Sequence, residues 1–438
     1  MTRTLTKNVA AHIGQTITIK GWLHKKRLMG GMNFITLRDR SGITQNLIND
    51  KDELEKLRGL QIGTILALTG VVNADERAPG GAELHDVKVE VIVPVTDEPP
   101  IEIDKPISHK AENLDTLFEY RVLNIRNLQE QKIFKIRASI TRYMREFLYL
   151  NDFTEIDTPK LLAEATEGGA EVFKLDYFGK TATLAQSPQL YKQIMVGAFE
   201  RVFEIGHSYR AEPSATTRHL TELTMLDIEM GFVDSHDEVM DMVGDMVQNV
   251  LKRTYLEHAD DLKSLNAPQL QLPEEDKIPR FKVSEIHELY SKANNVDTTE
   301  EKDLTPDEER WIAAYALKNF GSDLVYATDF PVEAGKFYHK FKDEEGTVAW
   351  ADLLYRGLEI ATVPLRENNY DKMIMQMKRA GLDVTLDGFK YYLQAFKYGL
   401  PPHGGAGLGV DRVVQKTIGL ANVKESTLFP RDINRLTP

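Results

Sequence analysis

The stretch from 201 to 230, RVFEIGHSYRAEPSATTRHLTELTMLDIEM, constrains the fold more than any other part of the chain. A strand-like run at Arg201–Ile205 and a second run ending at Met230 flank a small polar loop, Pro213–Thr217, which predicts an antiparallel hairpin. Arg210, Glu212, Arg218 and His219 fall near that loop. Guanidinium forks match phosphate oxygens in geometry as well as in charge. A hairpin that fixes two arginines therefore predicts a nucleotide triphosphate site on an antiparallel sheet. Surface salt bridging by the same arginines is the competing reading.

The rest of the chain supplies the setting. At 438 residues there is room for two or three domains with a large core. Residues 16–95 alternate short β-rich runs with turn signals: TITIKGWL, NFITLRD, ITQNLI, TILALTGVV and ELHDVKVEVIVPV, with a charged helical run, Lys51–Leu60, after the third. Five strands and a helix in that place predict an OB-type barrel over 1–100, with an SH3-like or other small barrel as the alternative. Pro99, Pro100, Pro106 and the polar run His109–Thr116 predict a linker over 101–125. From Gln129 the period changes to that of a helix. Ile133, Ile136, Ile140, Tyr143, Phe147 and Leu148 share one face, and a short strand ending at Pro159 follows. Residues 126–438 are expected as one α+β domain, an antiparallel sheet flanked by helices. An acidic, proline-interrupted region around 257–315 is read as a solvent-facing helical insertion, its charges a solvated face. Strands are expected near 323–329, 336–341, 348–354 and 357–362, and helices at Asn369–Ala380 and Leu386–Tyr398.

Charge narrows the function classes. The net charge is −13, which argues against a generic nucleic-acid binder. Residues 1–100 nevertheless carry 13 Lys+Arg against 12 Asp+Glu, so the remainder holds −14. Lys25-Lys26-Arg27 is the densest basic run available to a polyanion. With no cysteine, disulfides, thiolate zinc sites and a cysteine nucleophile are excluded. No run of 18 apolar residues and no signal-peptide core occur, so no membrane association and a cytoplasmic location are expected.

Three further elements join the hairpin: PLRENNYD with Arg366, GAGLGVDR with Arg412, and the helix-strand-Pro159 unit. GAGLGVDR alone is a weak glycine motif; no GK[ST] follows it and it opens no βαβ unit. Together, in this order across some 300 residues, the elements resemble motifs 1, 2 and 3 of the class II aminoacyl-tRNA synthetases. The stretches Thr166-Glu-Gly-Gly-Ala-Glu-Val-Phe173, Ala185-Gln-Ser-Pro-Gln-Leu-Tyr-Lys192, Tyr209–Glu212 with Thr217–Leu220, and Tyr398–Gly405 resemble the aspartyl-tRNA synthetases of archaeal and eukaryotic type. Asparaginyl-tRNA synthetase is the rival within the class. A carboxylate pocket wants cations, here Lys192 and Arg366, and a neutral amide does not need both. The stretch Val72–His85 resembles the barrel of archaeal asparaginyl enzymes instead, and it concerns tRNA rather than the amino-acid pocket.

The resemblance implies an aspartate–tRNA ligase with L-aspartate, ATP and tRNA(Asp) as substrates, Mg2+ as cofactor and a homodimer formed through the motif 1 helix. It places Arg210 on the α-phosphate and the aspartate carboxylate, and Glu212 on the adenine amino group. Arg218 and His219 fall on the outer phosphates and Arg412 on the γ-phosphate. Ala211, Leu220, Gly409, Val410 and Asp411 complete the ATP site. Glu359 and Thr362 are the implied Mg2+ ligands, with Asp352 a weaker one. Glu167, Gln189, Lys192, Thr362 and Arg366 are implied for aspartate, Arg366 by a bidentate contact to its side chain. Asp227 and Glu229, two apart on one strand face, either support the site or balance the arginines. One departure stands out: the family's Gly-Gly before the specificity arginine is replaced by Val363-Pro364. Proline fixes φ and removes a donor, so backbone or pocket is expected to differ there. In the barrel the resemblance implies that Phe34 stacks an anticodon base, Gln45 hydrogen-bonds one and Arg27 serves the anticodon or its phosphates. For Phe34, a place in the barrel core is the alternative. His24 and Pro79 resemble identities found in members that discriminate tRNA(Asp) from tRNA(Asn), and two residues leave tRNA(Asn) open as a second acceptor. A non-catalytic RNA-binding paralogue is the reading from a different class.

Overall fold

A computed structural model describes residues 3–29, 32–107, 111–163, 171–213, 216–275, 277–342 and 344–438. The chain divides into two compact units, Met1–Gln131 and Lys132–Pro438.

The first unit is a closed five-stranded barrel. Its strands are β1 (Thr16–Met29), β2 (Met32–Asp39), β3 (Gly42–Leu47), β4 (Ile65–Ala74) and β5 (Ala82–Val93), with helix α1 (Lys51–Arg58) after the third. β1 closes the barrel because it is long enough to pair twice. Its first half runs against β4, from Thr16↔Val71 to Trp22↔Ile65, and its second half against β2, from Trp22↔Arg38 to Met29↔Met32. A register shift between Leu23 and Lys25 bends the strand between these partners. Alternation fills the interior with Ile17, Ile19, Leu23, Ile35, Leu37, Leu66, Leu68 and Leu84. α1 starts where the Asp50 carboxylate accepts from the N–H groups of Asp52 and Glu53, and Leu57 joins the core. The barrel expected from turn spacing is present, closed as an OB-fold.

The second unit is built on an eight-stranded sheet. Its strands are β6 (Thr154–Glu155), β7 (Arg201–Tyr209), β8 (Glu222–Gly231), β9 (Arg280–Lys282), β10 (Leu324–Thr328), β11 (Trp350–Tyr355), β12 (Glu359–Pro364) and β13 (His403–Gly409). The spatial order is β9-β10-β11-β12-β13-β8-β7-β6. β7 and β8 form the expected hairpin, in register from Arg201↔Met230 to Tyr209↔Glu222. Helices α2 (Leu128–Leu150) and α4 (His236–Glu257) bring Ile133, Ile136, Ile140, Met240, Val243 and Val247 into one core with sheet residues Leu226, Ile228, Leu353, Ile360 and Leu408. A Ser235–Glu238 capping box starts α4. Among the described residues no helix is long and apolar enough to cross a membrane.

Two expectations are corrected. The acidic region is helical and largely exposed, as expected, but it is not solvent-facing throughout, because one side of it packs on the sheet. β9 pairs in parallel with β10, and α5 (Val283–Asn294) and α6 (Pro306–Phe320) bury Val283, Ile286, Ile312 and Ala316 against Val325, Ala327 and Leu354. The acidic residues that read as solvation include helix-capping groups: Thr305 and Glu308 form a capping box and Pro306 occupies the first turn of α6. The strand expected at 336–341 shrinks to Phe341–Lys342. Lys336, Tyr338 and His339 sit ahead of it instead, on the wall of the pocket described next.

Candidate active site

One pocket in the second unit gathers residues from α3 (Gln189–Phe199), the β7–β8 hairpin, β11, β12, β13 and α9 (Val410–Ile418; α7, Tyr370–Arg379, and α8, Asp387–Lys397, lie between β12 and β13). Its two ends differ in chemistry.

At one end lies a buried charge quartet. Asp227 and Glu229, two apart on β8, both point into it, which answers the question left by their spacing: they hold the cations. Lys192 on α3 donates from Nζ to Asp227 Oδ1 at 2.8 Å and to the Ala406 carbonyl at 2.9 Å, and lies 3.7 Å from Glu229 Oε2. Arg366 donates from Nε to Glu229 Oε1 at 2.8 Å and from Nη2 to Oε2 at 3.0 Å. Burial would push the Glu229 carboxyl up, but Arg366 and Lys192 outweigh it and hold the group below the usual range. The bidentate contact expected between Arg366 and a ligand is thus made to Glu229. Its Nη1 group makes no hydrogen bond among the described residues and is left for a ligand. Gly405 faces Glu229 in the ladder. A Cβ there would lie 2.0 Å from the Ile228 carbonyl oxygen and 2.4 Å from Glu229 Oε2. The glycine-rich strand therefore makes room at this position for a protein carboxylate.

Val363-Pro364 does not derail the strand that delivers Arg366. Val363 turns into the core, while Pro364 lines the pocket opposite Trp350. The ladder resumes at once: the Leu365 N–H donates to the Ala349 carbonyl at 2.8 Å and the Arg366 N–H to the His403 carbonyl at 2.9 Å. Gln189 lies beside the quartet, its amide donating to Gln193 at 2.9 Å.

The other end is cationic. Arg210, Arg218 and Arg412 all line it, with Glu212, His219 and Leu220. Arg210 is the loosest, its nearest carboxylate among the described residues, Glu212, lying 4.0 Å away. Arg412 donates to the Glu359 carbonyl at 2.8 Å and to its Oε2 at 3.0 Å. Burial, followed by the three arginines against the opposing pull of Glu212, pushes the His219 imidazole below its usual range. His219 therefore offers a neutral ring to a ligand near pH 7. Between the two ends stand Glu359, Thr362 and Asp352. Thr362 Oγ1 donates to Glu359 Oε1 at 3.0 Å, and Trp350 Nε1 to Asp352 Oδ1 at 2.8 Å. Burial would raise the Glu359 carboxyl, but Arg412 and the Thr362 hydroxyl hold it down. Burial and then the Glu359 charge push Asp352 well above the carboxylate range.

Several expected residues sit elsewhere. Val410 is fully buried in the core and is not part of the pocket wall. Asp411 touches the pocket, yet its carboxylate is engaged: Arg137 donates to Oδ1 at 2.5 Å and the Thr224 N–H to Oδ2 at 2.8 Å. It ties α2, β8 and α9 together. The Ala211 N–H is taken by the Glu171 carbonyl at 3.0 Å. Gly409 lines the pocket next to Arg412. Glu167 lies outside the described residues. Asp303, from the acidic region, was missed by sequence reasoning and lines the pocket; burial raises its carboxyl. Only its place after an acidic run ahead of a capping box signals it.

On the barrel, Phe34 is not in the core. Positions 33, 35 and 37 of β2 are buried, as are Arg38 and Asp39 at its end, while Phe34 is half-buried on the face opposite Ile35 and Leu37, paired with Arg27 and Leu47. Gln45 pairs with Thr36 on the adjacent strand and donates to Glu83 Oε2 at 2.8 Å. Glu83, also missed, binds His85 Nε2 at 2.8 Å through its other oxygen. Arg27 is exposed. Lys26 is withdrawn from the basic run, because its Nζ caps the carbonyls of Leu57, Arg58 and Leu60 behind α1. His24 is half-buried near Arg38 and Asp104, and burial lowers its imidazole first. Pro79 begins an exposed turn, Pro79–Gly81.

The sequence matches tRNA synthetases class II (D, K and N) over residues 113–433 and the OB-fold nucleic acid binding domain over residues 17–95. It is 38% identical over 439 residues to the aspartate–tRNA(Asp/Asn) ligase of Thermus thermophilus, with 100% of both chains covered. It is 39% identical over 432 residues to the aspartate–tRNA(Asp) ligase of Pyrococcus abyssi, with 97% of each covered. Among solved structures it is similar to the asparaginyl-tRNA synthetase of Pyrococcus horikoshii complexed with asparaginyl-adenylate: TM-score 0.91, 30% identity, 100% of both chains. It is also similar to the aspartyl-tRNA synthetase of Entamoeba histolytica: TM-score 0.86, 26% identity, 100% of this chain and 93% of that one.

Proposed function

Because the chain belongs to the class II tRNA synthetases of the D, K and N group, we propose that it is an aspartate–tRNA ligase whose two substrate ends are the two ends of this pocket. The observation that carries the reading is the pocket's polarity. Buried Lys192 and Arg366 form one end, Arg210, Arg218 and Arg412 the other. Because Asp227 and Glu229 balance Lys192 and Arg366, the first end offers the carboxylates of a dicarboxylic amino acid oriented donors, and the second offers a nucleotide phosphate net positive charge.

The chemistry runs in two steps. An oxygen of the aspartate α-carboxylate attacks the α-phosphorus of ATP. The bond to the bridging oxygen breaks, and pyrophosphate leaves with the electron pair. The terminal ribose hydroxyl of tRNA then attacks the adenylate carbonyl, giving the ester, AMP and a proton. Neither step needs a protein nucleophile; both need positioning and charge neutralisation. In this reading Arg210 sits where the α-phosphate and the carboxylate meet, and Arg218, His219 and Arg412 hold the outer phosphates. Glu212 accepts from adenine. Arg366 Nη1 and Lys192 receive the aspartate side chain, with Gln189 beside them and Glu167 on the ammonium.

Mg2+ fits the donor set. Glu359 and Asp352 are carboxylates close enough for one to raise the other, and Thr362 adds a hydroxyl. Among the described residues no three His, Asp or Glu form a metal cluster. Phosphate oxygens and water would fill the remaining positions. When bound, the ion would neutralise phosphate charge.

For tRNA, the outer barrel face with Phe34, Gln45 and Arg27 suits an unstacked base beside a phosphate, with His24 and Pro79 nearby determinants. Phe34→Ala is expected to lower kcat/KM for tRNA charging about 10- to 100-fold, the worth of one stacked base, and to leave pyrophosphate exchange unchanged. Equal loss in both assays would mark a folding defect of the barrel.

A homodimer is the proposed assembly, supported by exposed apolar residues at the end of α2, Tyr149 and Leu150; sedimentation velocity tests it. The proposed location is the cytoplasm, where tRNA charging for general translation takes place. Amino-acid-dependent ATP–pyrophosphate exchange tests the main reading: aspartate is expected to support exchange. Exchange with asparagine alone would make the chain an asparagine–tRNA ligase. No exchange with any amino acid by folded protein would favour a non-catalytic RNA-binding paralogue. Charging of pure tRNA(Asn) beside tRNA(Asp) decides the second acceptor, since relatives of both kinds are similar to this chain.

A further inference from the structure

The acidic region reaches the nucleotide end of the pocket through a residue that does not line it. Glu309, in the first turns of α6, forms an ion pair with Arg218 through Oε2 and Nη2. Its side chain is 12% exposed and that of Arg218 24%. Arg218 lines the pocket, whereas Glu309 stands behind it.

Two further observations give this pair a direction. The Nε atom of Arg218 is buried and has no hydrogen-bond partner among the described residues. A buried N–H without a partner costs about 1–3 kcal/mol, so the pose of Arg218 is set by its pairing with Glu309 and the packing around it and not by a hydrogen bond of its own Nε. Glu309 is also carried on a rigid element. α6 begins at the Thr305–Glu308 capping box, and its Ile312, Ala313 and Ala316 are packed into the core beneath the sheet. The loop bearing Arg218 is pinned from the other side, where the Thr217 carbonyl accepts from the Val423 N–H at 3.0 Å. One carboxylate therefore holds Nη2, on the edge that also carries the buried Nε, and leaves Nη1 as the group for a second anion. Burial raises the Glu309 carboxyl while Arg218 pulls it down, as for a group that depends on its arginine.

We propose that Glu309 is a positioning residue for the outer phosphates of ATP, holding Arg218 from behind by Nη2 so that its Nη1 group meets the nucleotide. The inference rests on the assignment of Arg218 to those phosphates. It gives the acidic region a role in nucleotide binding that its charge alone would oppose: the carboxylate acts through an arginine and never faces the phosphate itself.

The test is aspartate-dependent pyrophosphate exchange by the full-length protein with Glu309→Ala, Glu309→Gln, Arg218→Ala and the double variant Arg218→Ala/Glu309→Ala. Glu309→Ala is expected to raise KM for ATP about tenfold, the worth of one charge-assisted hydrogen bond, with kcat and KM for aspartate within about twofold. Glu309→Gln, which keeps the shape and an acceptor oxygen but not the charge, is expected to raise KM for ATP about threefold, recovering about half of that loss on a logarithmic scale. The double variant should be no worse than Arg218→Ala alone, since the glutamate acts only through the arginine. An unchanged or lower KM for ATP in Glu309→Ala, or losses that multiply in the double variant, would overturn the proposal. A fall in KM would identify Glu309 as a competitor of ATP instead. If Glu309→Ala does not fold, the same cycle is read with Glu309→Gln, where a KM unchanged to within twofold counts against the charge of Glu309. Arg218→Ala separates the two levels. If it leaves KM for ATP unchanged, the phosphate assignment fails with everything built on it; if it raises KM, the Glu309 result stands by itself.

Discussion

Arg366→Leu is expected to remove aspartate activation and to cost about 3–5 kcal/mol of stability, the penalty for breaking a buried ion pair from one side. Arg366 and Glu229 are both buried, joined by two hydrogen bonds at 2.8 and 3.0 Å. Without the guanidinium, Glu229 keeps only Lys192, whose Nζ is 3.7 Å away and already donates to Asp227 and Ala406. The carboxylate must then stay charged with half its support or take up a proton. Denaturant unfolding measures the stability loss, and pyrophosphate exchange the loss of aspartate use. The double variant Arg366→Leu/Glu229→Gln distinguishes them: it should regain most of the stability and none of the activity. A single variant that still activates aspartate with near-normal kinetics would remove Arg366 from the amino-acid pocket.

Arg210→Ala should show the reverse pattern. Its nearest carboxylate among the described residues is 4.0 Å away and its side chain is 36% exposed, so its removal strands no buried partner among them. A guanidinium on the α-phosphate acts on charge that develops as the bond to pyrophosphate breaks. Loss of one such donor costs about 10²–10³ in kcat. The expected result is a fall of that size in kcat for exchange, with an unfolding midpoint close to that of the parent. A rise in KM for ATP at constant kcat would move Arg210 to ground-state binding of the nucleotide.

The two residues illustrate what a sequence discloses. The hairpin was legible because strand period, turn residues and arginine spacing are local properties, and β7 and β8 pair over the full expected length. The barrel was legible for the same reason, down to the alternation that puts Phe34 on the face away from Ile35 and Leu37. Residue type also marked Lys192 and Arg366 as pocket cations. Sequence did not disclose that each was already neutralised, because Asp227 and Glu229 meet them only after β8, β12 and α3 converge. Asp303 and Glu309 were misread for the converse reason. In a linear stretch rich in Asp and Glu, charge reads as solvation, and only the packing of α5 and α6 on the sheet turns two of those carboxylates inward. Val410 was misplaced within a correctly identified motif, since the first residue of α9 faces the core and Arg412 faces the ligand. Lys26 was counted as ligand-facing charge although it closes the end of α1. In each case spacing along the chain located the element, and the third dimension decided which side of it mattered.

The balanced quartet of Lys192, Asp227, Glu229 and Arg366 bears on how such a pocket can change over generations. Two positive and two negative groups are buried together, and the missing side chain of Gly405 leaves the space that the Glu229 carboxylate fills. Any single replacement that alters charge strands an odd ion away from water, so the route from an acidic to a neutral amino acid passes through a destabilised intermediate. Lineages are expected to cross that gap by paired substitutions, and a survey of relatives should find these four positions changing in step, with glycine retained opposite the carboxylate. Specificity here is protected less by the strength of any one contact than by the instability of every halfway form.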